Sequence, residues 1–312
     1  MNKLLILAAD AAKYTRLIKA AELQQLEVMT ASDAGSAKIQ AAKCNIVLGD
    51  PPMVGEVLAS ADQLEWVQST WAGVDHLCRT NMRRDYILTG AKDIFGPPIS
   101  EYVMTYLFAL ERRFFTMRIN QLKRSWKPLA YRSSKQITLG IVGLGSIGAH
   151  LARTARQFGI RVIGLNRSGC RCENVEKVYT SDDPADFFTE PDYIVLTLPD
   201  TPQTRHFINA DNLSLMKPSA VLMNVGRGSL INEADLLTAL REDVIAGAVL
   251  DVFQNEPLVQ DSPLWQLPNV YITPHTAAMS FAQDIVEIFI DNYKRFIQKQ
   301  PLSYIIDFDL GY

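Results

Sequence analysis

The stretch IVGLGSIGAH (residues 141–150) closes an apolar run, ITLGIVG (137–143), and opens a helix-compatible one. Gly143, Gly145 and Gly148 fit the pattern G-x-G-x-x-G. The first glycine makes a tight turn, the second lets backbone approach a pyrophosphate, and the third allows close helix–strand packing. Ser146 and Ile147 would present N–H groups at a helix N-terminus, where the dipole favours phosphate. A turn of this kind, taken alone, also fits a ligand-free strand–helix corner. Here the strand, the helix and a second strand, RVIGLN (161–166), fall at the distances a dinucleotide-binding unit needs. A dinucleotide cofactor is therefore expected.

The second strand ends at Asn166, 18 residues past Gly148 (166 − 148). An acid there would hydrogen-bond the adenosine ribose and repel a 2′-phosphate. Asn166, Arg167 and Ser168 instead offer an amide, a guanidinium and a hydroxyl, groups that pair with phosphate. The plain alternative is that Arg167 is a solvated loop residue. Its position favours NADP(H), with NAD(H) as the other cofactor the site would take.

Working outward, the α/β series continues with strands at YIVLTL (193–198), AVLMNV (220–225), IAGAVLDV (245–252) and NVYITP (269–274). Asp183 before Pro184, and Asn232 before EADLLTALRED, supply helix start signals. Six strands with helical crossovers predict a doubly wound parallel sheet. The first ~95 residues form a similar series, with strands at 3–8, 26–30, 45–49, 64–70 and 86–90 and helical runs such as AAKYTRLIKAAELQQ. This half has no glycine-rich phosphate turn. Between the halves, FGPPISEYVMTYLFALERRF (95–114) reads as a boundary, with Gly96, Pro97 and Pro98 breaking the chain and Ser100 capping a long apolar helix. The segment SFAQDIVEIFIDNYKRFIQKQPL is amphipathic, with Ile285, Ile288, Phe289, Tyr293 and Phe296 on one face, and is expected to return to the first domain.

The bulk properties narrow the classes. A chain of 312 residues has room for two cores, and 48% apolar with 21% charged residues is ordinary for a globular protein. A net charge of −3 gives no reason to expect nucleic acid. The opening MNKLLILAAD is too short for a membrane span and lacks a cleavage site, so it reads as a first strand. Cys44, Cys78, Cys170 and Cys172 are few and scattered, which suits a reducing cytoplasm. Cys170 and Cys172 have no second Cys/His pair nearby, so no metal site is expected.

Three further segments carry chemistry. NVGRGSLINE (224–233) sets Arg227 just past the fourth strand, LDVFQNEPL (250–258) holds Asp251 and Glu256, and ITPHTAA (272–278) holds His275. All fall at carboxyl ends of proposed parallel strands, where open α/β sheets bind ligands. An arginine, an acid and a histidine there suit reduction of a 2-oxo acid: Arg holds the anion, His protonates the oxygen, and the carboxylate keeps His charged. Singly, Arg227 reads as an anchoring ion pair, Glu256 as a surface acid and His275 as a core residue.

Together, and in this order, these segments resemble the D-isomer-specific 2-hydroxyacid dehydrogenase family. The resemblance extends through LTLPDTPQTRHFINADNLSLMKPSAVLMNVGRGSLINEADLLTAL and DSPLWQLPNVYITPH, and reappears as STWAGVDHL (69–77). It implies two Rossmann-like domains: a discontinuous substrate-binding domain (1–98 and 282–312) clasping a dinucleotide-binding domain (99–281). It implies His275 as general acid/base, Glu256 as its partner, and Arg227 as the clamp for the substrate. Asp251 would meet the nicotinamide carboxamide, Leu198, Pro199 and Thr204 would line the cofactor, and Val225 and Gly226 would lie near the nicotinamide ribose. Trp71, Ala72, Gly73 and Val74 would supply N–H groups to the substrate carboxylate, and domain closure would exclude water. A homodimer is what the family leads one to expect.

Two departures matter. Trp71 stands where the family has a small residue, which would either restrict the pocket to small substrates or close over them. The missing acid after the second strand resembles the NADPH-preferring glyoxylate/hydroxypyruvate reductase branch. The expected activity is thus hydride transfer from NADPH to a small 2-oxo acid, giving the D-2-hydroxy acid. Alternatives are a phosphoglycerate-type dehydrogenase, a formate dehydrogenase (disfavoured by Glu256, since those pair the histidine with Gln), and a dinucleotide-sensing corepressor-like binding protein.

Overall fold

Short apolar runs flanked by helices make strands covered on both faces, and among the described residues every named strand lies in a parallel sheet. The computed structural model describes residues 1–180 and 184–311; the cap expected at Asp183 lies outside the described residues. Two units result, Met1–Ile94 with the segment from Ser280 onward, and Phe95–Met279. Their boundaries fall a few residues before those expected.

The first unit contains β1 (Asn2–Leu7), α1 (Ala11–Ala20), β2 (Leu26–Thr30), α2 (Ala34–Ala41), β3 (Ile46–Gly49), α3 (Pro51–Val57), β4 (Trp66–Ser69) and β5 (Ile87–Thr89). The sheet order is β2-β1-β3-β4-β5, with Leu4 facing Ile46 and Ile46 facing Trp66 in register. The order reverses between β1 and β3. At that point Asp50, which begins α3, accepts the Ala9 N–H (3.0 Å) and the Thr70 hydroxyl. Asp10 caps α1 by accepting the Lys13 N–H at 3.2 Å. The strand ends of this sheet are thus occupied by the chain's own acids.

The second unit contains α4 (Gly96–Glu111), α5 (Phe114–Leu122), β6 (Thr138–Val142), α6 (Ser146–Gln157), β7 (Arg161–Asn166), β8 (Lys177–Thr180), α7 (Ala185–Thr189), β9 (Tyr193–Leu196), α8 (Ala210–Leu215), β10 (Val221–Asn224), α9 (Glu233–Arg241), β11 (Gly247–Leu250) and β12 (Val270–Ile272). Seven strands run β12-β11-β10-β9-β6-β7-β8, one more than the sequence predicts. The extra strand, β8, is a short edge strand with only Tyr179 buried, so it carries little apolar signal. Arg161 on β7 ties this edge down, donating to Glu176 (2.8 Å) and Glu190 (2.7 Å).

Ser100 is not a cap. α4 already begins at Gly96, with both prolines in its first turn, where their missing N–H groups cost nothing. Ser100 is buried inside the helix, with its hydroxyl 2.8 Å from His150 Nδ1 on α6. Asn232 does cap α9, accepting from the Ala234 and Asp235 N–H groups. Away from the strand carboxyl ends, Arg132 bridges the buried acids Glu111 and Asp192. Tyr193 donates to Glu111 (2.8 Å) and the Thr138 N–H to Asp192 (2.8 Å), so these charges are matched inside the fold.

The last helix, α10 (Ala282–Ile297), belongs to the first unit and packs across Trp66 on β4. Phe289 and Phe296 stack on its ring at centroid distances of 5.1 and 5.5 Å. The buried face includes Ile285, Phe289 and Tyr293, and also Asn292, whose amide donates to Gln68 Oε1 at 3.2 Å. Ile288 is only half-buried.

Candidate active site

The order of the second sheet reverses between β6 and β9, and the glycine turn lies at the carboxyl end of β6. Gly143 has φ +102°, a conformation that side chains resist. A methyl group at Gly148 would lie 2.0 Å from the Gly143 carbonyl oxygen, so that helix–turn approach admits only glycine. At Gly145 the same methyl would meet nothing within 4 Å: the space above the turn is open. Gly145 is the N-cap of α6 and offers no side-chain hydrogen bond. The first-turn N–H groups of Ser146 and Ile147 have no carbonyl behind them. An open glycine turn at a bare helix N-terminus fits a dinucleotide pyrophosphate. Thr197, a residue the sequence reading missed, locks the turn from below by donating to the Gly143 carbonyl at 2.7 Å.

Beyond β7, the loop closes on itself. Asn166 Nδ2 donates to the Cys170 carbonyl (3.0 Å), Ser168 Oγ to Asn166 Oδ1 (3.5 Å), and the Cys170 N–H to Ser168 Oγ (3.4 Å). Arg167 is exposed and has no ion pair within the described residues. Its guanidinium is available to an incoming phosphate.

At the other side of the switch point, His275 Nδ1 lies 2.8 Å from Glu256 Oε2. The other Glu256 oxygen accepts the Phe253 N–H at 3.0 Å. Both side chains are partly exposed, His275 at 51% and Glu256 at 36%. The Glu256 hydrogen bond raises the His275 pKa above its ordinary value, against partial desolvation and the nearby Arg227 charge. Partial burial acts to raise the Glu256 carboxyl, but the bonds from His275 and Phe253, with Arg227 nearby, hold it below its ordinary range. Both shifts run in the direction that favours an imidazolium–carboxylate pair. With Nδ1 committed to Glu256, Nε2–H remains for a substrate oxygen.

Arg227 follows β10 in a turn built by Asn224, which is fully buried. The Asn224 amide donates to the Arg227 carbonyl (2.8 Å) and accepts the Gly226 N–H (3.1 Å). Arg227 itself donates to the Gly226 carbonyl at 2.7 Å. A methyl group at Gly228 would lie 1.9 Å from the Phe253 carbonyl carbon, so the Arg227 and Glu256 loops are pressed together. The approach brings an arginine, a histidine and a carboxylate within electrostatic reach of one another. Asn224 is hard to recognise in sequence, because a buried amide at a strand end looks like any loop asparagine.

Asp251 is buried, with its carboxylate already engaged by Thr273, Thr276 and Ala277. Leu198 packs about the turn, within 3.2 Å of a methyl built at Gly143, and the Val225 N–H donates to the Leu196 carbonyl at 3.3 Å. The Thr204 hydroxyl is spent on the Pro199 carbonyl at 2.7 Å, shaping the 199–204 loop. In the first unit, Trp71 is 40% exposed and its N–H donates to Ser69 Oγ at 3.0 Å. Among the described residues no hydrogen bond occupies the N–H groups of Ala72, Gly73 and Val74, which leaves them as donors of that loop. No group of three or more His, Cys, Asp or Glu among the described residues is placed to hold a metal ion.

Comparison with known proteins agrees with this geometry. Residues 104–277 match the family described as D-isomer specific 2-hydroxyacid dehydrogenase, NAD binding domain. Glyoxylate/hydroxypyruvate reductase A of Photorhabdus laumondii is 31% identical over 265 residues, 82% of this chain and 84% of the relative. The crystal structure of a D-isomer specific 2-hydroxyacid dehydrogenase family protein from Aeromonas salmonicida superposes with a TM-score of 0.94 at 45% identity, covering 99% of each chain. The NADPH-dependent glyoxylate/hydroxypyruvate reductase of Sinorhizobium meliloti, solved with NADP and sulfate, superposes at 0.89 with 28% identity over 100% of both.

Proposed function

The chain belongs to the D-isomer-specific 2-hydroxyacid dehydrogenase family, and on that premise we propose that it reduces small 2-oxo acids of the glyoxylate/hydroxypyruvate class to D-2-hydroxy acids with NADPH. The observation that carries this reading is the Glu256–His275 pair, with Arg227 beside it, at the same carboxyl edge of the parallel sheet as an open glycine turn. Bound at that turn, NADPH supplies the hydride. His275 donates the proton from Nε2 to the carbonyl oxygen, and Glu256 stabilises the imidazolium before transfer. Arg227 binds the carboxylate and polarises the carbonyl. Trp71, Ala72 and Gly73 are assigned to substrate binding, and Asp251, with Leu198, Pro199, Thr204, Val225 and Gly226, to the nicotinamide end. The first unit is read as the substrate-binding domain.

Arg167 and Ser168 are read as the 2′-phosphate contacts, supported by the lack of any acid there and by relatives whose structures hold NADP or NADPH. The deciding assay is a panel of small 2-oxo acids with NADH and NADPH, run on the wild type and on Arg167→Ala. The variant should raise KM for NADPH about tenfold or more, the worth of a charge-assisted hydrogen bond, and leave KM for NADH nearly unchanged. Equal effects on both cofactors would return Arg167 to a solvated loop residue, and no turnover on any 2-oxo acid would remove the activity.

A homodimer is proposed on the strength of α5, which buries none of its residues and leaves Phe114, Met117, Ile119 and Leu122 exposed, with Trp126 fully exposed beyond it. Sedimentation of Ile119→Glu should show monomers, and an unaltered sedimentation coefficient would place the interface elsewhere. The cytoplasm is the proposed location, supported by four free cysteines. No helix among the described residues is long and apolar enough to cross a membrane.

A further inference from the structure

The turn that carries His275 is held by a chain of hydroxyls reaching back to α4. Tyr102 Oη lies 2.7 Å from Thr273 Oγ1, and Thr273 Oγ1 lies 2.6 Å from Asp251 Oδ1. An ionised carboxylate only accepts, so Thr273 donates to Asp251, and Tyr102 must then donate to Thr273. Burial raises the Tyr102 pKa above its ordinary value, which keeps that donor protonated. Asp251 Oδ1 also accepts the Thr276 N–H (2.8 Å), Oδ2 accepts the Ala277 N–H (2.9 Å), and the Asp251 carbonyl accepts the His275 N–H (2.8 Å). One residue thus ties the 273–277 turn through its backbone and through both carboxylate oxygens.

The need for such a clamp is visible in the backbone. His275 has φ +54°, in the left-handed region. A non-glycine residue held there is strained and persists only where its surroundings over-determine it. Tyr102 is itself fixed by aromatic packing: its ring contacts Tyr106 (5.0 Å between centroids), Tyr106 contacts Tyr271 (6.0 Å), and Tyr271 stacks on Phe115 (4.7 Å). Tyr271 and Thr273 lie on either side of Ile272, the last residue of β12. The same helix therefore grips the catalytic turn by ring packing on one side and by a hydroxyl on the other.

We propose that Tyr102 is a positioning residue for His275: through Thr273 and Asp251, its hydroxyl holds the 273–277 turn in the conformation that aims the imidazole at Glu256. The inference rests on the reading of His275 as proton donor. It acts through the turn and not on substrate, so its signature is the His275 titration, read by NMR of the imidazole in the full-length protein without cofactor. Thr273→Val removes the middle of the chain; it should lower kcat about 10- to 100-fold, the scale of a sub-ångström to 1 Å misplacement. It should also bring the His275 pKa back toward its ordinary value as the Glu256 bond loosens. Tyr102→Phe keeps the ring and loses only the hydroxyl, and should move both quantities in the same direction by less. Thr273→Ser should restore both. Folded Tyr102→Phe and Thr273→Val proteins with wild-type titration and kcat would overturn the proposal. If His275→Ala kept its turnover, the functional reading would fall, while the titration would still decide whether Tyr102 sets the turn.

Discussion

The two units meet the same physical problem at their strand ends and solve it oppositely. Each has a parallel sheet whose order reverses next to a strand that feeds a helix, β1 into α1 and β6 into α6. A helix N-terminus presents unpaired N–H groups and attracts negative charge. In the first unit the chain supplies that charge itself: Asp10 caps α1, and Asp50 takes the Ala9 N–H and the Thr70 hydroxyl. In the second unit, Gly145 stands at the N-cap with no side chain and open space above it. The contrast teaches that a phosphate site is a helix N-terminus the protein has left unsatisfied. A related fold with an acid in that place is closed to phosphate by its own sequence.

The sharpest way to break the comparison is to give the second unit the first unit's solution. Gly145 has φ −72° and ψ −163°, which any residue adopts, and an added Cβ meets nothing within 4 Å. Gly145→Asp should therefore fold. A carboxylate about 4 Å from a phosphate costs about 4 kcal/mol at an effective dielectric of ~20, so NADPH affinity should fall by more than about 100-fold. The melting temperature should hold or rise slightly, since Asp caps better than Gly. Unchanged NADPH affinity by fluorescence titration would sink the phosphate assignment.

A second break uses pH, because the acid–base pair lies only at the open end. With His275 as the proposed proton donor, reduction needs its protonated form, and its pKa stands above its ordinary value through the Glu256 hydrogen bond. The reduction rate should hold to a higher pH than an ordinary imidazole allows and fall about tenfold per pH unit above the raised His275 pKa. Oxidation of the hydroxy acid needs neutral His275 and should rise across the same interval. A steady-state profile showing both directions falling together above neutrality would contradict the pair as drawn.

The smallest effect belongs to the closed end. Asp10→Ala removes the α1 cap and should cost about 1 kcal/mol of stability in urea unfolding. The kinetic constants for NADPH and substrate should not move, and a change in NADPH affinity would mean that the two sheet ends are not independent.

Much of this was legible in the residues. Apolar runs between helices located eleven of the strands, since a strand covered on both faces must be apolar throughout. The glycine turn was legible because Gly143 and Gly148 answer steric demands of the turn, a positive φ at one and a 2.0 Å approach at the other, while Gly145 leaves space open above it. Arg227, Glu256 and His275 stood out because ionisable residues at strand carboxyl ends are chemically exceptional. β8 escaped because an edge strand with one buried side chain has no periodicity to read. Ser100 misled because a hydroxyl after two prolines looks like a cap, whereas prolines also start helices. Thr197, Tyr102 and Thr273 were invisible for a common reason: their roles are hydrogen bonds between segments far apart in sequence, whereas Asn224 bonds only within its own turn and reads like any loop asparagine. Hydrophobic pattern records which faces are buried and says nothing about which polar groups will meet there.

The loop after β7 has a consequence for how such a protein changes over generations. Its hydrogen bonds, from Asn166 to Cys170, from Ser168 to Asn166 and from Cys170 to Ser168, begin and end within five residues of chain. Nothing in that circuit is shared with Arg227, Glu256 or His275, and changes at sites without shared partners add independently. If Arg167 and Ser168 hold the 2′-phosphate as proposed, coenzyme preference is a separable trait of this molecule: a lineage could exchange one nicotinamide currency for the other by rewriting a single turn, with Arg227, Glu256 and His275 inherited intact.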